Sequence, residues 1–167
     1  MQLNRPAPEF ELPDLQGIPH RLSDERGRIV IVNFWSVECP HSERTDQYLV
    51  SLLERWNGEV VMLSIAANRN ESTPMVEAAA NTRRIPKVLI DAEHVVADLY
   101  EALTTPHAFL IDREGILCYR GAVDNITFRQ REAPRFFLQE AVEALVHGRL
   151  PELAETPAYG CVIVREI

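Results

Sequence analysis

Two dense apolar runs, Ile29-Val30-Ile31-Val32-Asn33-Phe34 and Val60-Val61-Met62-Leu63-Ser64-Ile65-Ala66, stand out in a chain whose apolar residues elsewhere recur mostly every three or four positions. The first run is β-branched and apolar on both alternations, which predicts a strand buried on two faces. Between the runs, Thr45, Leu49, Leu52, Leu53 and Trp56 follow helical spacing from Pro40 to Trp56, and Asn57-Gly58 stops that helix. A second strand over Glu59 to Ala67 then makes a parallel β-α-β unit.

Shorter signals flank this unit. Ala7 to Asp24 holds two apolar patches around Asp14-Leu15-Gln16-Gly17 and reads as a hairpin, with Ser23 to Gly27 as a polar turn after it. Past the polar loop from Asn68, Thr73 as a cap and Pro74 at the first position predict a helix reaching Thr82. Ile85 to Ile90 is a weaker extended piece, and Ala92 to Leu103 predicts a helix with Val95, Val96, Leu99, Tyr100 and Leu103 inward, Tyr100 as core. Thr104-Thr105-Pro106 breaks that helix. His107 to Asp112 and Ile116 to Arg120 flank Arg113-Glu114-Gly115 as an antiparallel hairpin. A last helix is expected over Pro134 to His147, with Phe137, Ala141, Val142 and Leu145 on one face and Gly148 as its stop. Leu150 to Pro157 links it to Tyr159-Gly160-Cys161-Val162-Ile163-Val164-Arg165.

At 167 residues and 46% hydrophobic, residues 1–167 are expected to form one domain with a real core. A formal charge of -8 argues against nucleic acid or an anionic membrane surface as a partner, since both need basic patches. Proteins or small molecules are the expected partners. No apolar run approaches the roughly 20 residues of a bilayer span. Met1 to Arg5 lacks the apolar core of a signal peptide, so a soluble protein is expected, cytoplasmic unless a leader has been removed, in which case extracytoplasmic.

Three cysteines, Cys39, Cys118 and Cys161, form an odd and sparse set, unlike the framework of a small secreted scaffold. Cys39 ends the first strand where Pro40, with its fixed φ, suits a first helical turn. Unpaired N–H groups and the positive end of the macrodipole favour a thiolate there, which separates Cys39 from a buried, inert cysteine. Cys118 falls mid-strand and reads as packing. Cys39-x-His41, even with His107, offers no clustered ligand set, so neither a metal nor another cofactor is expected.

Taken in order, these pieces resemble thioredoxin-fold redoxins of the alkyl hydroperoxide reductase and thiol-specific antioxidant superfamily, especially their thiol-disulfide oxidoreductase branch. Ala7-Pro8-Glu9-Phe10-Glu11-Leu12-Pro13-Asp14-Leu15 with Gly17 looks like the N-terminal hairpin, and Val32-Asn33-Phe34-Trp35 precedes the active site as in the family. Thr105-Pro106-His107-Ala108-Phe109-Leu110-Ile111-Asp112, with Gly115 and Tyr119-Arg120-Gly121, resembles the cis-proline segment and its hairpin. The resemblance implies an α/β, thioredoxin-like fold: a central mixed sheet flanked by helices, with an N-terminal hairpin extension. It also implies exchange with protein or small-molecule thiols and disulfides.

Where that branch has Trp-Cys-x-x-Cys, this chain has Glu38-Cys39-Pro40-His41-Ser42. Ser42 cannot form a disulfide, so a mixed disulfide on Cys39 must be released by a thiol from elsewhere. That thiol is either external or Cys161, whose Tyr159-Gly160-Cys161 context resembles a Gly-Cys-x-Ile ending of some redoxins, acting in cis or from a neighbouring subunit. The resemblance also implies a cis Pro106, with Thr105 contacting an extended substrate segment. Trp35 is either a wall of the site or core filler. Glu38, Pro40 and His41 border the thiol; His41 either stabilises the thiolate or is a solvated first-turn residue, whereas Glu38 opposes ionisation if it approaches. Ser42 either bonds the sulfur or fills the place of the missing thiol.

A one-cysteine peroxiredoxin is the alternative enzyme, since Ser36 stands three positions before Cys39 as in that group. Its proline is Val32 here, however, and its arginine falls at Pro106, leaving Arg113 or Arg120 to substitute. A non-catalytic thioredoxin-fold binding module is the alternative of a different class.

Overall fold

The computed structural model describes residues 1–132 and 135–167. A hairpin of β1 (Glu11–Pro13) antiparallel to β2 (Pro19–Arg21) comes first, and a 3-10 turn over Leu22–Glu25 leads into β3 (Ile29–Trp35). α1 (Pro40–Arg55) crosses to β4 (Val60–Ala66), which runs parallel to β3 from Ile29 opposite Val60 to Trp35 opposite Ala66. α2 (Thr73–Arg83) returns to β5 (Val88–Ile90), parallel to β4. α3 (Val95–Leu99) and the two-residue β6 (Thr104–Thr105) precede β7 (His107–Ile111), which is antiparallel to β3 and pairs in turn with β8 (Leu117–Gly121). α4 (Phe137–Val146) and β9 (Cys161–Val162) follow. The strand order β5-β4-β3-β7-β8 puts β3 at the centre of a mixed sheet.

The period of two in β3 divides the core. Ile29, Ile31 and Trp35 pack with Leu49 and Leu52 of α1, Val76 and Ala80 of α2, and Leu138, Ala141 and Val142 of α4. Val30, Val32 and Phe34 pack on the other face with Phe10 and Leu12 of the hairpin region, Val96 and Ala97 of α3, and Tyr100. Both faces of β3 are thus covered, as its doubly apolar pattern requires.

Three expectations need correction. The helix over Ala92 to Leu103 is a short α3 only, in which Val96 and Tyr100 are buried while Val95, Leu99 and Leu103 are 63%, 42% and 63% exposed. Left-handed residues cut it at both ends, His94 at φ 60 and Glu101 at φ 56. Its N-terminus is held by the buried Asp91 carboxylate, which accepts the Ala97 N–H at 2.8 Å. The cap of α2 is Ser72, whose hydroxyl accepts the Met75 N–H at 3.4 Å, and Thr73 is already helical. The expected helix start at Pro134 lies outside the described residues; α4 begins at Phe137, which is half-buried, while Leu138 takes a fully buried place on the inner face. Gly148, at φ 73, does end it, donating its N–H to the Leu145 carbonyl at 3.0 Å.

Asp91→Ala is expected to cost about 1–2 kcal/mol, because it strips a buried acceptor from a helix N-terminus. Chemical denaturation measures this, and an unchanged midpoint would show that Asp91 does not hold α3.

Candidate redox site

Cys39 is the N-cap of α1 and Pro40 its first residue; the Cys39 carbonyl accepts the Glu43 N–H at 3.0 Å. The loop that carries Cys39 is tied down from two sides. The Glu71 carboxylate accepts the Ser36 hydroxyl at 2.6 Å and the N–H groups of Val37 at 3.0 Å and Glu38 at 3.2 Å. Arg83 donates to the carbonyls of Ser36 at 2.9 Å and Val37 at 2.5 Å, and to the Asp46 carboxylate at 2.9 Å. Its guanidinium also stands 5.5 Å from the Trp35 ring centroid. Trp35 is fully buried and belongs to the core cluster with Ile29 and Ile31.

Ser42 closes the same loop from below. Its hydroxyl accepts the Ser36 N–H at 3.2 Å, which ties it to the loop backbone. Asp46, one turn further on, is buried; burial pushes its carboxyl up to about 6 against the opposing pull of Arg83. Glu71 and Arg83 were not among the residues expected at the site. Each stands in a polar stretch, where a charged side chain ordinarily signals only solvent exposure.

The second wall comes from the segment around Pro106. The Thr105–Pro106 peptide bond is cis, as expected, and the Cys39 Sγ lies 3.2 Å from the Thr105 carbonyl oxygen. Along this segment runs β9, antiparallel to β6, with Thr104 opposite Val162 and Thr105 opposite Cys161. Cys39 and Cys161 are joined in a disulfide across 122 positions of sequence, with their Cα atoms 6.0 Å apart. Cys39 is 2% exposed, whereas Cys161 is half-buried. Cys118 is buried and free, its thiol pushed up to about 11 chiefly by burial and secondarily by Asp112.

Further contacts hold β9 in place. The Ile163 N–H donates to the Leu103 carbonyl at 3.0 Å, the Val164 N–H to the Asn68 side chain at 2.8 Å, and the Arg69 N–H to the Val164 carbonyl at 2.8 Å. Arg165 reaches the Asp98 carboxylate at 3.0 Å and the Ala102 carbonyl at 2.8 Å. Before β9, the Tyr159 ring meets His41 edge-on at 5.1 Å, and its hydroxyl accepts the Phe128 N–H at 2.9 Å.

The remaining expected residues separate by role. His41 is packed between Tyr159 and Phe128; burial first, and Arg44 second, hold its basicity below the usual imidazole value, against the pull of Asp124. That weakens the thiolate-stabilising reading of His41. Glu38 is exposed and Pro40 is exposed at the helix start. Arg113 turns to Glu59 and the Leu145 carbonyl, and Arg120 to Glu155. Among the described residues, no group of three metal-ligating side chains occurs.

The sequence profile of the AhpC/TSA family matches residues 3–120. The thiol-disulfide oxidoreductase ResA of Geobacillus kaustophilus (strain HTA426) is 36% identical over 110 residues, covering 65% of this chain and 63% of that protein. The chain therefore matches just under two thirds of that relative's length. Among solved structures, an uncharacterized conserved protein from Geobacillus kaustophilus superposes with a TM-score of 0.90 at 25% identity, covering 99% of this chain and 93% of that one. The thioredoxin domain of a thiol-disulfide oxidoreductase from Bacteroides vulgatus has a TM-score of 0.64 at 22% identity, covering 72% of this chain and 88% of that one. The fold is thioredoxin-like, with the N-terminal hairpin added. Cys161 and β9 lie beyond the stretch that the family profile matches.

His107 gives the site a measurable pH signature. It is buried, its Nδ1 accepts the Leu103 N–H at 3.3 Å, and burial, then Arg120, lowers its pKa from 6.5 to about 4. A depressed folded-state pKa means that the unfolded chain binds the proton more tightly, so His107 destabilises the fold as pH falls from 6.5 towards about 4. The stability difference between wild type and His107→Asn is expected to rise by on the order of 3 kcal/mol as pH increases across that window. Subtraction cancels the opposite contribution of Asp46. A difference that stays flat in denaturation series would show that His107 titrates normally.

Proposed function

The chain belongs to the AhpC/TSA family, and from that membership and the geometry above we propose that it is a thiol-disulfide oxidoreductase whose redox couple is Cys39 with Cys161. The observation that carries this reading is the disulfide joining the start of α1 to β9 across 122 positions. It supports Cys161, acting in cis, over an external thiol as the group that releases Cys39.

In the reductive direction, the Cys39 thiolate attacks one sulfur of a substrate disulfide and the other sulfur leaves as a thiolate. The Cys161 thiolate then attacks the Cys39 sulfur, forming the Cys39–Cys161 bond and releasing the second substrate sulfur. The substrate has gained two electrons and the protein has lost two. External thiols reverse the change, and the half-buried Cys161 is the end of the bond open to them, since Cys39 is 2% exposed. Attack there expels Cys39 as a thiolate at the start of α1, where the macrodipole favours negative charge. The potential of the outside partner sets which way the couple runs.

A second thiol changes the expected work. Isomerase-like shuffling suits a lone motif cysteine, whereas a Cys39–Cys161 couple suits net two-electron transfer. The peroxidase reading has less support: Ser36, which stands at the peroxiredoxin spacing, commits its hydroxyl to Glu71 at 2.6 Å, and Arg113 and Arg120 are engaged elsewhere. Ser42 completes the loop and Trp35 backs it, while Pro106 and Thr105 border the sulfur.

Cys39→Ser is expected to reduce disulfide exchange to the uncatalysed rate. Cys161→Ser should stop after one equivalent and accumulate a mixed disulfide on Cys39, detected by mass spectrometry. Undiminished turnover of Cys161→Ser without that adduct would exclude Cys161 as the resolving thiol. In the reduced wild type, alkylation under native conditions should label Cys161 and Cys39, whose thiolate the start of α1 favours, faster than Cys118, whose thiol is pushed up to about 11; labelling of Cys118 at the same rate would contradict that difference in ionisation.

A further inference from the structure

The strand that carries Cys161 does more than deliver a thiol. Among the described residues, β9 is the sole sheet partner of β6, and it runs along the backbone edge beside the Cys39 sulfur. A substrate cysteine forming a mixed disulfide with Cys39 needs the same bond at the same place. Resting on the oxidoreductase reading above, we propose that β9 is a built-in stand-in for the substrate, and that this edge accepts extended polypeptide segments in which glycine immediately precedes the reacting cysteine.

Four positions of the stand-in define what the edge accepts. Gly160 lies so close to the opposite backbone that a Cβ there would meet the Thr105 carbonyl oxygen at 2.1 Å, the Thr105 carbonyl carbon at 2.7 Å and the Pro106 nitrogen at 3.1 Å. All three are main-chain atoms, so no rotamer change relieves the clash. One residue earlier, the Tyr159 ring lies 5.1 Å from His41 and 6.2 Å from Phe128, edge-on to both, a seat for an aromatic side chain. Directly after the cysteine, Val162 is 74% exposed and imposes nothing. The next residue, Ile163, is 3% exposed and packs with Phe34 and Tyr100 in the core, a seat for an aliphatic side chain.

Main-chain pairing supplies the rest of the recognition, as it does wherever a peptide adds a strand to an exposed edge. The Ile163 N–H to Leu103 carbonyl bond at 3.0 Å extends that pairing beyond the cysteine. The preferred substrate is therefore a polypeptide of the pattern aromatic, glycine, cysteine, any residue, aliphatic. A small thiol such as free cysteine can form the sulfur bond but gains none of the flanking contacts. Because β9 and the substrate use one edge, β9 must leave for the substrate to bind and return to resolve it.

The test uses the reduced full-length Cys161→Ser protein and three probes, each a mixed disulfide with a chromogenic nitrothiobenzoate. One is the peptide Tyr-Gly-Cys-Val-Ile, the second Tyr-Ala-Cys-Val-Ile, and the third N-acetylcysteine. The Cys39 thiolate attacks the peptide or amino-acid sulfur, the bond to nitrothiobenzoate breaks, and the coloured thiolate leaves. Rates are normalised to those with a free thiol in solution. The glycine peptide is expected to react faster than the alanine peptide by roughly tenfold or more, the rate equivalent of about 1.4 kcal/mol. The N-acetylcysteine probe is expected to react no faster than the alanine peptide. Equal rates for the two peptides, or an N-acetylcysteine probe as fast as the glycine peptide, would overturn the substrate assignment while leaving Cys39 as a nucleophile. Absence of coloured product with every probe, together with no adduct by mass, would overturn the oxidoreductase reading itself.

Discussion

A covalent bond between the start of α1 and a two-residue strand 122 positions away is the constraint on which the site depends. Closing a loop of that length removes conformational entropy from the unfolded chain worth on the order of 5 kcal/mol in the chain-entropy view. When the bond is reduced, that contribution goes, and β9 is kept in place only by what it touches. Those contacts are real but local: main-chain pairing to Leu103 and β6, two bonds at Asn68 and Arg69, the Arg165 ion pair, and burial of Ile163. Several are partly exposed, so their net worth is small. Redox state and the hold on β9 are therefore one property.

The sulfur at the other end of the bond is held differently. Cys39 sits on a loop that Glu71 grips by its N–H groups and Arg83 by its carbonyls. The Arg83–Asp46 pair beneath it is almost fully buried, with Asp46 Oδ1 left without a partner. A buried pair of this kind is weak evidence for stability, because desolvation offsets most of the attraction. What it does supply is direction: donors in a fixed plane bind two successive carbonyls and a carboxylate at set angles, a fork that the compact ammonium of Lys does not reproduce. The loop geometry, more than the fold's stability, is what Glu71 and Arg83 determine.

These two ends were unequally legible from the chain. β3, β4, α1 and the β7–β8 hairpin announce themselves because each buries a continuous face, and burial imposes a period that a sequence must display. Ser42 could be set aside as a resolving group from chemistry alone, whereas Cys161 was singled out as a second thiol by the resemblance of its Tyr159-Gly160-Cys161 context to a redoxin ending. β6 and β9 could not be found in that way, since a two-residue strand has no period and its pairing partner lies more than fifty positions off. Glu71 and Arg83 were hidden for a related reason: a carboxylate that caps a loop and one that faces water look the same in sequence. α3 misled because Val95, Leu99 and Leu103 complete a helical stripe that the left-handed turns at His94 and Glu101 cut short.

The place of Ser42 explains why the second thiol comes from so far away. A thiol at position 42 would approach Cys39 from within α1, on the buried side, and would leave the substrate edge free throughout the cycle. Here that position is 0% exposed and its oxygen is used to close the Ser36 loop. Cys161, the resolving thiol of the proposed couple, comes instead along Thr104 and Thr105, the edge proposed above for a substrate strand. Substrate binding and resolution then exclude each other in space, whereas with both thiols on α1 they do not. Under the proposed couple the order of events is that β9 departs, the substrate pairs, and Cys161 attacks the Cys39 sulfur as the substrate's strand peels away.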